Sequence, residues 1–248
     1  MFTPGAALPD ATQCGLKHNP RSNALDYRPV LKRRHITLFL NMIRVTRDPA
    51  AVHRGFTVGR LAIRSGAMQK LSEAAPFLAM IGHPRAVVEI GAGGGGMLAA
   101  LCAVAADDAT IISVDLEGGP FGGGASDDVL RGRANIRPDQ TLHLVRGDSH
   151  DPEICERVTT IAPDGIDVLL IDGDHTYEGV SADYELYSPM VKRGGIIALH
   201  DILPTGEPEC HVDQFWNELK EKKRAIVAPG ELNNRGNTWG GIGVLSPR

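Results

Sequence analysis

The sequence lacks the features that mark several large classes of protein. Its four cysteines are scattered without a Cys-x-x-Cys pair, so neither a zinc motif nor a disulfide framework is indicated. No apolar run approaches the ~18 residues that a membrane-spanning helix needs. The N-terminus also lacks the basic-then-apolar layout of a secretory signal. We therefore expect a cytoplasmic protein with no membrane partner.

An excess of positive charge is also missing. The formal net charge is −4, whereas general nucleic-acid binders carry a strong basic excess, so we expect no nucleic-acid partner. The remaining composition is that of a globular protein, because 42% of the 248 residues are hydrophobic and 23% are charged. Glycine is abundant, with 29 residues, and concentrates at 91–96 and 118–124.

The central motif is a glycine-rich turn at 91–96, which we call the glycine turn. An apolar run that includes Val87, Val88 and Ile90 precedes it, and the helix-forming run Met97–Leu101 follows it. This order is typical of the nucleotide-binding corner of a doubly wound α/β fold, where the backbone N–H groups at a helix start meet the ligand. The spacing Gly-x-Gly-x-x-Gly fits a dinucleotide fingerprint, so it does not exclude NAD.

An acidic residue two positions before the first glycine favours a different ligand. Glu89 would repel a pyrophosphate, whereas it suits a cationic ligand. The pattern Glu-x-Gly-x-Gly-x-Gly resembles motif I of the class I S-adenosylmethionine-dependent methyltransferases, in which the glycine loop lies beside the amino-acid part of the cofactor. This resemblance implies cofactor-binding roles for Glu89, Gly91, Ala92, Gly93 and Gly95.

Two further predicted strands end in residues that suit a nucleotide-like cofactor. The run Thr110–Asp115 ends in a carboxylate that is placed to meet ribose hydroxyls, and Leu116 follows it. The third strand ends in Gly147, Asp148 and Ser149, and the resemblance implies that these residues meet the adenine. Helix capping by the aspartate or the serine is the competing role.

The densest group of ionisable residues follows two more strand patterns. The fourth strand is predicted at Ile166–Ile171 and the fifth at Ile196–Leu199, with a helix at about 177–191 between them. Because parallel strands end at the same edge of a sheet, five ionisable groups are expected to converge beside the glycine turn. They are Asp172, Asp174, His175, His200 and Asp201.

Segments 171–179 and 194–201 resemble those of the small-molecule O-methyltransferases grouped with cephalosporin hydroxylase-like and macrocin-type sugar methyltransferases. Segment 119–124 resembles that group as well. More distantly, the chain is similar to catechol and caffeoyl-CoA O-methyltransferases. Those enzymes bind a divalent cation through an Asp at the fourth strand end and an Asp–Asn pair at the fifth.

The resemblance implies that Asp172, His200 and Asp201 hold a divalent cation, with Mg²⁺ expected first and Mn²⁺ or another cation as alternatives. His200 departs from the all-oxygen pattern, so a role as a base without metal stays open. His175 lies where the catechol-type enzymes carry a basic lysine, which implies a general base for the acceptor hydroxyl. We therefore predict catalytic roles for His175, Asp172 and His200, and we expect Asp172 to lie beside the cofactor too.

The chain is predicted to form a Rossmann-like, doubly wound, seven-stranded sheet with an N-terminal helical cap. Helical spacing at 36–47 and 68–81 precedes the first strand, so we divide the chain into an arm and cap at 1–84 and a cofactor-binding catalytic domain at 85–248. The C-terminal part is expected to contribute a helix and two strands, the last of them antiparallel. These are at 212–223, 225–228 and 239–245.

The leading hypothesis is a metal-assisted, S-adenosylmethionine-dependent O-methyltransferase that acts on a hydroxyl of a small molecule. A sugar or another secondary metabolite, as in antibiotic biosynthesis, is the expected acceptor, and a homo-oligomer is the expected assembly. An NAD(P)-dependent oxidoreductase is the second hypothesis, favoured by the glycine spacing and Asp115. The third is a non-catalytic subunit that binds the cofactor.

Overall fold

The computed structural model describes residues 45–116, 124–227, 231–233 and 236–247, together with Leu38 and Met42. Its centre is a seven-stranded sheet in the order β3-β2-β1-β4-β5-β7-β6. Strands β1 to β5 pair in parallel, and β7 runs antiparallel to both of its neighbours. The strands are β1 Ala86–Ile90, β2 Thr110–Asp115, β3 Thr141–Arg146, β4 Ile166–Ile171, β5 Val191–His200, β6 Lys223–Ile226 and β7 Ile242–Leu245.

Seven α-helices with defined bounds lie within the described residues. They are α1 Pro49–Arg64, α2 Leu71–Met80, α3 Gly96–Val104, α4 Asp127–Ala134, α5 Pro152–Ile161, α6 Tyr177–Tyr187 and α7 Val212–Glu218. None of the helices in this part of the chain is long and apolar enough to cross a membrane.

Helices cover both faces of the sheet, because successive side chains of a strand point to opposite faces. In β4, Val168 and Leu170 belong to one hydrophobic cluster, which also contains residues of α1 to α4. Leu169 and Ile171 belong to a second cluster, with residues of α5, α6 and α7. The predicted doubly wound, seven-stranded fold is confirmed.

The helical region before β1 differs from the prediction in its details. Helix α1 was not predicted as an element; the Asp48 side chain caps it by accepting from the backbone N of Ala50 at 2.9 Å. Helix α2 begins at Leu71, three residues after the predicted start, and Met68 is 74% exposed. The residues that predicted a helix at 36–47 lie mostly outside the described residues, as does most of the predicted loop at 118–124.

Other predicted bounds were also wrong, among them those of the last two strands, which were predicted at 225–228 and 239–245 and lie at Lys223–Ile226 and Ile242–Leu245. Helix α6 ends at Tyr187 rather than near residue 191, because Pro189 cannot continue an α-helix. Strand β5 begins at Val191, which pairs with Ile166 of β4, so the glycines expected to end the helix lie inside the strand. Helix α7 ends at Glu218, well before the predicted residue 223, because β6 begins there.

Candidate active site

The glycine turn joins the end of β1 directly to the end of β4. Gly91 has a φ of 87°, a left-handed conformation that favours glycine, and a Cβ here would overlap the backbone carbonyl of Asp172. The Asp172 N donates to the Ile90 O at 2.9 Å, which holds the two strand ends together. Gly95 caps α3, also with a positive φ, of 79°. The helix start and Asp172 are therefore brought to one edge of the sheet.

Two carboxylates lie under the glycine turn. The Gly93 N donates to Asp115 Oδ2 at 2.9 Å, so the end of β2 is tied to the turn. Burial raises the pKa of Asp115, and hydrogen bonding from Gly93 opposes that effect. Glu89 is only 1% exposed, and burial, followed by the charges of Asp172 and Asp115, raises its pKa well above the usual range. Its Oε2 has no hydrogen-bond partner among the described residues.

Four ionisable side chains meet at the ends of β4 and β5, and we call them the strand-end cluster: Asp172, His175, His200 and Asp201. The Asp172 Oδ1 lies 3.1 Å from His200 Nδ1 and 3.5 Å from His175 Nε2. Asp201 lies 3.3 Å from His175 and 3.4 Å from His200. The fifth predicted residue, Asp174, accepts from the Thr176 N at 2.9 Å, at the start of α6.

The charges within the cluster perturb one another strongly. Burial alone would lower the pKa of His175, but the hydrogen bonds to Asp172 and Cys210 and the charges of Asp172 and Asp201 raise the pKa to about 10. The same two aspartates outweigh burial at His200 and raise its pKa well above the usual range. Burial would raise the pKa of Asp172, but His200 and His175 hold that pKa well below its ordinary value. His175 is therefore cationic at neutral pH.

Sequence reasoning missed two buried residues that contact the cluster. The Gln69 Nε2 donates to Asp172 Oδ2 at 2.6 Å. Glu73, which is fully buried in α2, has its Oε1 3.3 Å from His200 Nε2 and accepts from Trp239 Nε1 at 2.8 Å. A single acidic residue within the otherwise apolar run of α2 was the available signal, because charged side chains are rarely buried without a partner.

The other predicted cofactor residues lie at the ends of β2 and β3. Asp148 Oδ1 accepts from the His150 N at 2.9 Å, and the Ser149 O accepts from the Tyr187 hydroxyl at 2.9 Å. Helix α5 is capped by Asp151, so the competing capping role predicted for Asp148 or Ser149 was wrong. Gly147 has a φ of 146°, Ala92 is buried, and Leu116 is 45% exposed. Contact of these residues with the cofactor stays a prediction.

This sheet order, with a glycine turn after β1 and carboxylates at the ends of β1, β2 and β4, defines the class I methyltransferase fold. Residues 88–202, which contain the glycine turn and the whole strand-end cluster, match the family model of a methyltransferase domain. This segment of the chain is therefore similar to a methyltransferase domain. This match favours S-adenosylmethionine over the nicotinamide cofactor of the second hypothesis.

One solved structure shares the fold, and a second is similar to this chain. An O-methyltransferase from Bacillus cereus in complex with SAH has a TM-score of 0.50 and 15% identity, and the match covers 87% of this chain and 90% of that one. The O-methyltransferase TomG from Streptomyces achromogenes, in complex with SAM, has a TM-score of 0.47 and 13% identity, with coverage of 86% and 96%.

One protein of known sequence is similar over a short stretch. The uncharacterized protein R132 of Acanthamoeba polyphaga mimivirus is 42% identical over 67 residues. The stretch covers 27% of this chain and 29% of the viral protein, so less than a third of that relative's length is matched.

Proposed function

We propose that this protein transfers a methyl group from S-adenosylmethionine to a hydroxyl oxygen of a small molecule, a sugar or another secondary metabolite, with the help of a divalent cation. The observation that supports this proposal is the strand-end cluster, which lies directly against the glycine turn. Methyl transfer to oxygen needs a deprotonated hydroxyl close to the sulfonium, and the cluster offers proton acceptors and cation ligands at that place.

The residues around the glycine turn fit the cofactor. Glu89 leaves one buried carboxylate oxygen without a partner among the described residues, as expected beneath a cationic ligand. No described atom lies within 4 Å of the position that a Cβ of Gly93 would occupy, so the backbone there is open to close approach. S-adenosylmethionine, when bound, supplies the methyl group. We assign Glu89, Gly91, Ala92, Gly93, Gly95 and Asp115 to its binding, with Leu116, Gly147, Asp148, Ser149 and Asp172 at the same edge.

The strand-end cluster also fits a divalent cation. Asp172, His200 and Asp201 each offer a ligand atom, and these atoms lie within 4.8 Å of one another. Two carboxylates and an imidazole suit Mg²⁺ or Mn²⁺, the imidazole being better suited to the latter. A bound cation would stabilise negative charge on the acceptor oxygen.

His175 is the proposed base, and its pKa makes that role conditional. With a pKa of about 10 the imidazole is protonated at neutral pH and cannot accept a proton from the acceptor hydroxyl. Hydrogen bonds to Asp172 and Cys210 raise the pKa, together with the negative charges of the two carboxylates Asp172 and Asp201. Compensation of their negative charge would return the His175 pKa toward neutrality, so we expect cation binding and base function to be coupled.

The test is a mass-spectrometric screen of polyhydroxylated acceptors for a methyl gain in the presence of S-adenosylmethionine and Mg²⁺ or Mn²⁺. We expect Asp201→Asn to lose turnover while calorimetry shows that S-adenosylmethionine still binds. Full activity after exhaustive chelation would remove the cation from the mechanism and favour His175 or His200 as a metal-free base. Cofactor binding without turnover on any acceptor would favour the non-catalytic subunit. NAD bound in place of S-adenosylmethionine would favour the oxidoreductase.

The base is tested separately. His175→Ala should lower turnover by ~10²–10⁴-fold, the usual contribution of a general base, while S-adenosylmethionine affinity is retained. His53→Ala, which removes an exposed histidine of α1, is the matched control. A loss below about threefold, far short of that range, would make His200 the better candidate.

A homo-oligomer and a cytoplasmic location are proposed on the sequence alone.

A further inference from the structure

The Cys210 thiol lies beside the strand-end cluster, although the proposed methyl transfer does not use it. His175, Asp201 and Cys210 each offer one ligand atom, and these atoms lie within 4.8 Å of one another. The thiol also forms a hydrogen bond with the His175 side chain. The backbone holds the pair together, since the N of His211, the residue after Cys210, donates to the His175 O at 2.8 Å.

Asp201 presents a different oxygen to each side of the cluster. Its Oδ1 lies 3.4 Å from His200 Nδ1, and its Oδ2 lies 3.3 Å from His175 Nδ1. The backbone of Asp201 has a φ of 59°, which is uncommon for a residue other than glycine. A Cβ on Gly240 would overlap Asp201 Oδ1, so the absence of a side chain there leaves room for the carboxylate. The same aspartate can therefore serve an oxygen-rich group on one side and a sulfur-containing group on the other.

The two groups differ in the cation they favour. Mg²⁺ takes oxygen ligands and has little affinity for sulfur. A thiolate, an imidazole and a carboxylate are the ligands that Zn²⁺ prefers, and three protein ligands leave its fourth position for water. On binding, the Cys210 thiol would lose its proton to solvent.

We propose that His175, Asp201 and Cys210 form a second metal site, which binds a thiophilic divalent cation such as Zn²⁺, and that its occupation blocks methyl transfer. The block follows because a cation coordinated by the His175 imidazole prevents this proposed base from accepting a proton. The inhibitory effect rests on the proposed function, whereas the binding site does not. The two can therefore be tested apart.

Cobalt is the spectroscopic probe for the site, because Co²⁺ bound by a thiolate gives a near-ultraviolet charge-transfer band. The experiment titrates the chelator-treated full chain with Co²⁺ and then with Zn²⁺. We expect the band in the wild type and in Cys155→Ser, its loss in Cys210→Ser, and its displacement by Zn²⁺ but not by Mg²⁺. Cys155 is the matched control, a partly buried cysteine of α5 whose Sγ lies 3.9 Å from the Leu186 O.

Affinity gives the second readout. Calorimetry should show Zn²⁺ binding at least ~10-fold weaker in Cys210→Ser than in Cys155→Ser, because loss of a direct ligand costs at least as much as alteration of a ligand's hydrogen-bond partner. A cobalt band that persists in Cys210→Ser, or that is absent from the wild type, overturns the site. This result does not depend on whether an acceptor has been found.

The inhibitory effect is measured as the fraction of each protein's own Mg²⁺-supported rate that remains after one equivalent of Zn²⁺. Wild type and Cys155→Ser should lose most of their rate, whereas Cys210→Ser should retain it. Equal inhibition of all three proteins would overturn the block while the cobalt result still decides the site.

Discussion

At the scale of single residues, the geometry of the cluster depends on a carboxylate that lies before the segment matched by the methyltransferase model. Glu73 is fully buried, and its Oε1 accepts from the Lys70 N and from Trp239 Nε1, each at 2.8 Å. The same oxygen lies 3.3 Å from His200 Nε2. A carboxylate at Nε2 favours a proton on that nitrogen, and it leaves Nδ1 facing Asp172 and Asp201.

We therefore expect Glu73→Gln to weaken binding of Mn²⁺ by ~10–100-fold, as is usual when the partner of a metal-ligating histidine is altered. The substitution keeps the size of the side chain and an oxygen that can accept from Trp239. Calorimetry on chelator-treated protein measures the effect, with Glu156→Gln on the exposed face of α5 as the control. Equal Mn²⁺ affinity in the two variants would show that Glu73 does not position His200.

Asp115 combines a predicted contact to the cofactor ribose with an observed one to the glycine turn. Asp115→Ala should weaken S-adenosylmethionine binding by ~1–3 kcal/mol, the cost of leaving a hydrogen-bond partner unsatisfied. Asp115→Asn retains an oxygen that can accept from the Gly93 N, so it separates the two contacts. Unchanged affinity in Asp115→Ala, measured by calorimetry, would remove this residue from the cofactor site.

At the scale of elements, the unit of β1, the glycine turn and α3 places the cofactor edge against β4. Two glycines of the chain, one in this unit and one in β5, show what the close approach requires. Gly91 combines a positive φ with the close approach of the Asp172 carbonyl. Gly194, in β5, has a nearly equal φ of 86° but no described atom within 4 Å of the position of its missing Cβ. The pair therefore separates backbone strain from steric overlap.

Gly194→Ala should lower the free energy of unfolding by ~1–2 kcal/mol, the cost of the left-handed conformation alone. Gly91→Ala should lower it further and abolish S-adenosylmethionine binding, because β1 and β4 must move apart. Urea denaturation gives the stabilities and calorimetry the binding. Equal losses of stability in the two variants would contradict the close approach at Gly91.

At the scale of the whole molecule, helices before β1 and strands of the sheet build one site. Phe77 and Leu78 of α2 pack in the same hydrophobic cluster as Leu98 of α3 and Val168 of β4. Gln69 and Glu73 reach the ends of β4 and β5 from this region. A boundary between residues 84 and 85 stays a prediction. Residues on both sides of it contribute to the site, because Gln69 and Glu73 contact the strand-end cluster.

The charges of the cluster also link global stability to pH. The pKa of His175 is raised from 6.5 to about 10, so the stability that it contributes is complete below pH 6.5 and is lost as pH rises through about 10. In chelator-treated protein we expect the melting temperature to fall more steeply over this range for the wild type than for His175→Gln. His53→Gln serves as the control, and identical slopes for all three proteins would contradict the ion pairing of His175.

The sequence by itself determined the elements that local patterns encode. The bounds of β2 and β4 were predicted to the residue, because each is a largely apolar run bounded by a carboxylate, with Asp115 as the last residue of β2 and Asp172 directly after β4. The position of the glycine turn and the location of His175 and His200 after strand ends followed from the order of residues along the chain, and the class of cofactor followed from the resemblance of the glycine turn to a known motif. These properties are readable because periodicity and turn chemistry act over a few residues.

Only the tertiary structure decided which side chains complete the site. Gln69 meets Asp172 across 103 residues, and Glu73 meets His200 across 127. The same holds for the glycines at the start of β5, which read as a helix end until the pairing of Val191 with Ile166 places them in the sheet. Such contacts depend on how separate elements pack, and no pattern within one element records its distant neighbours.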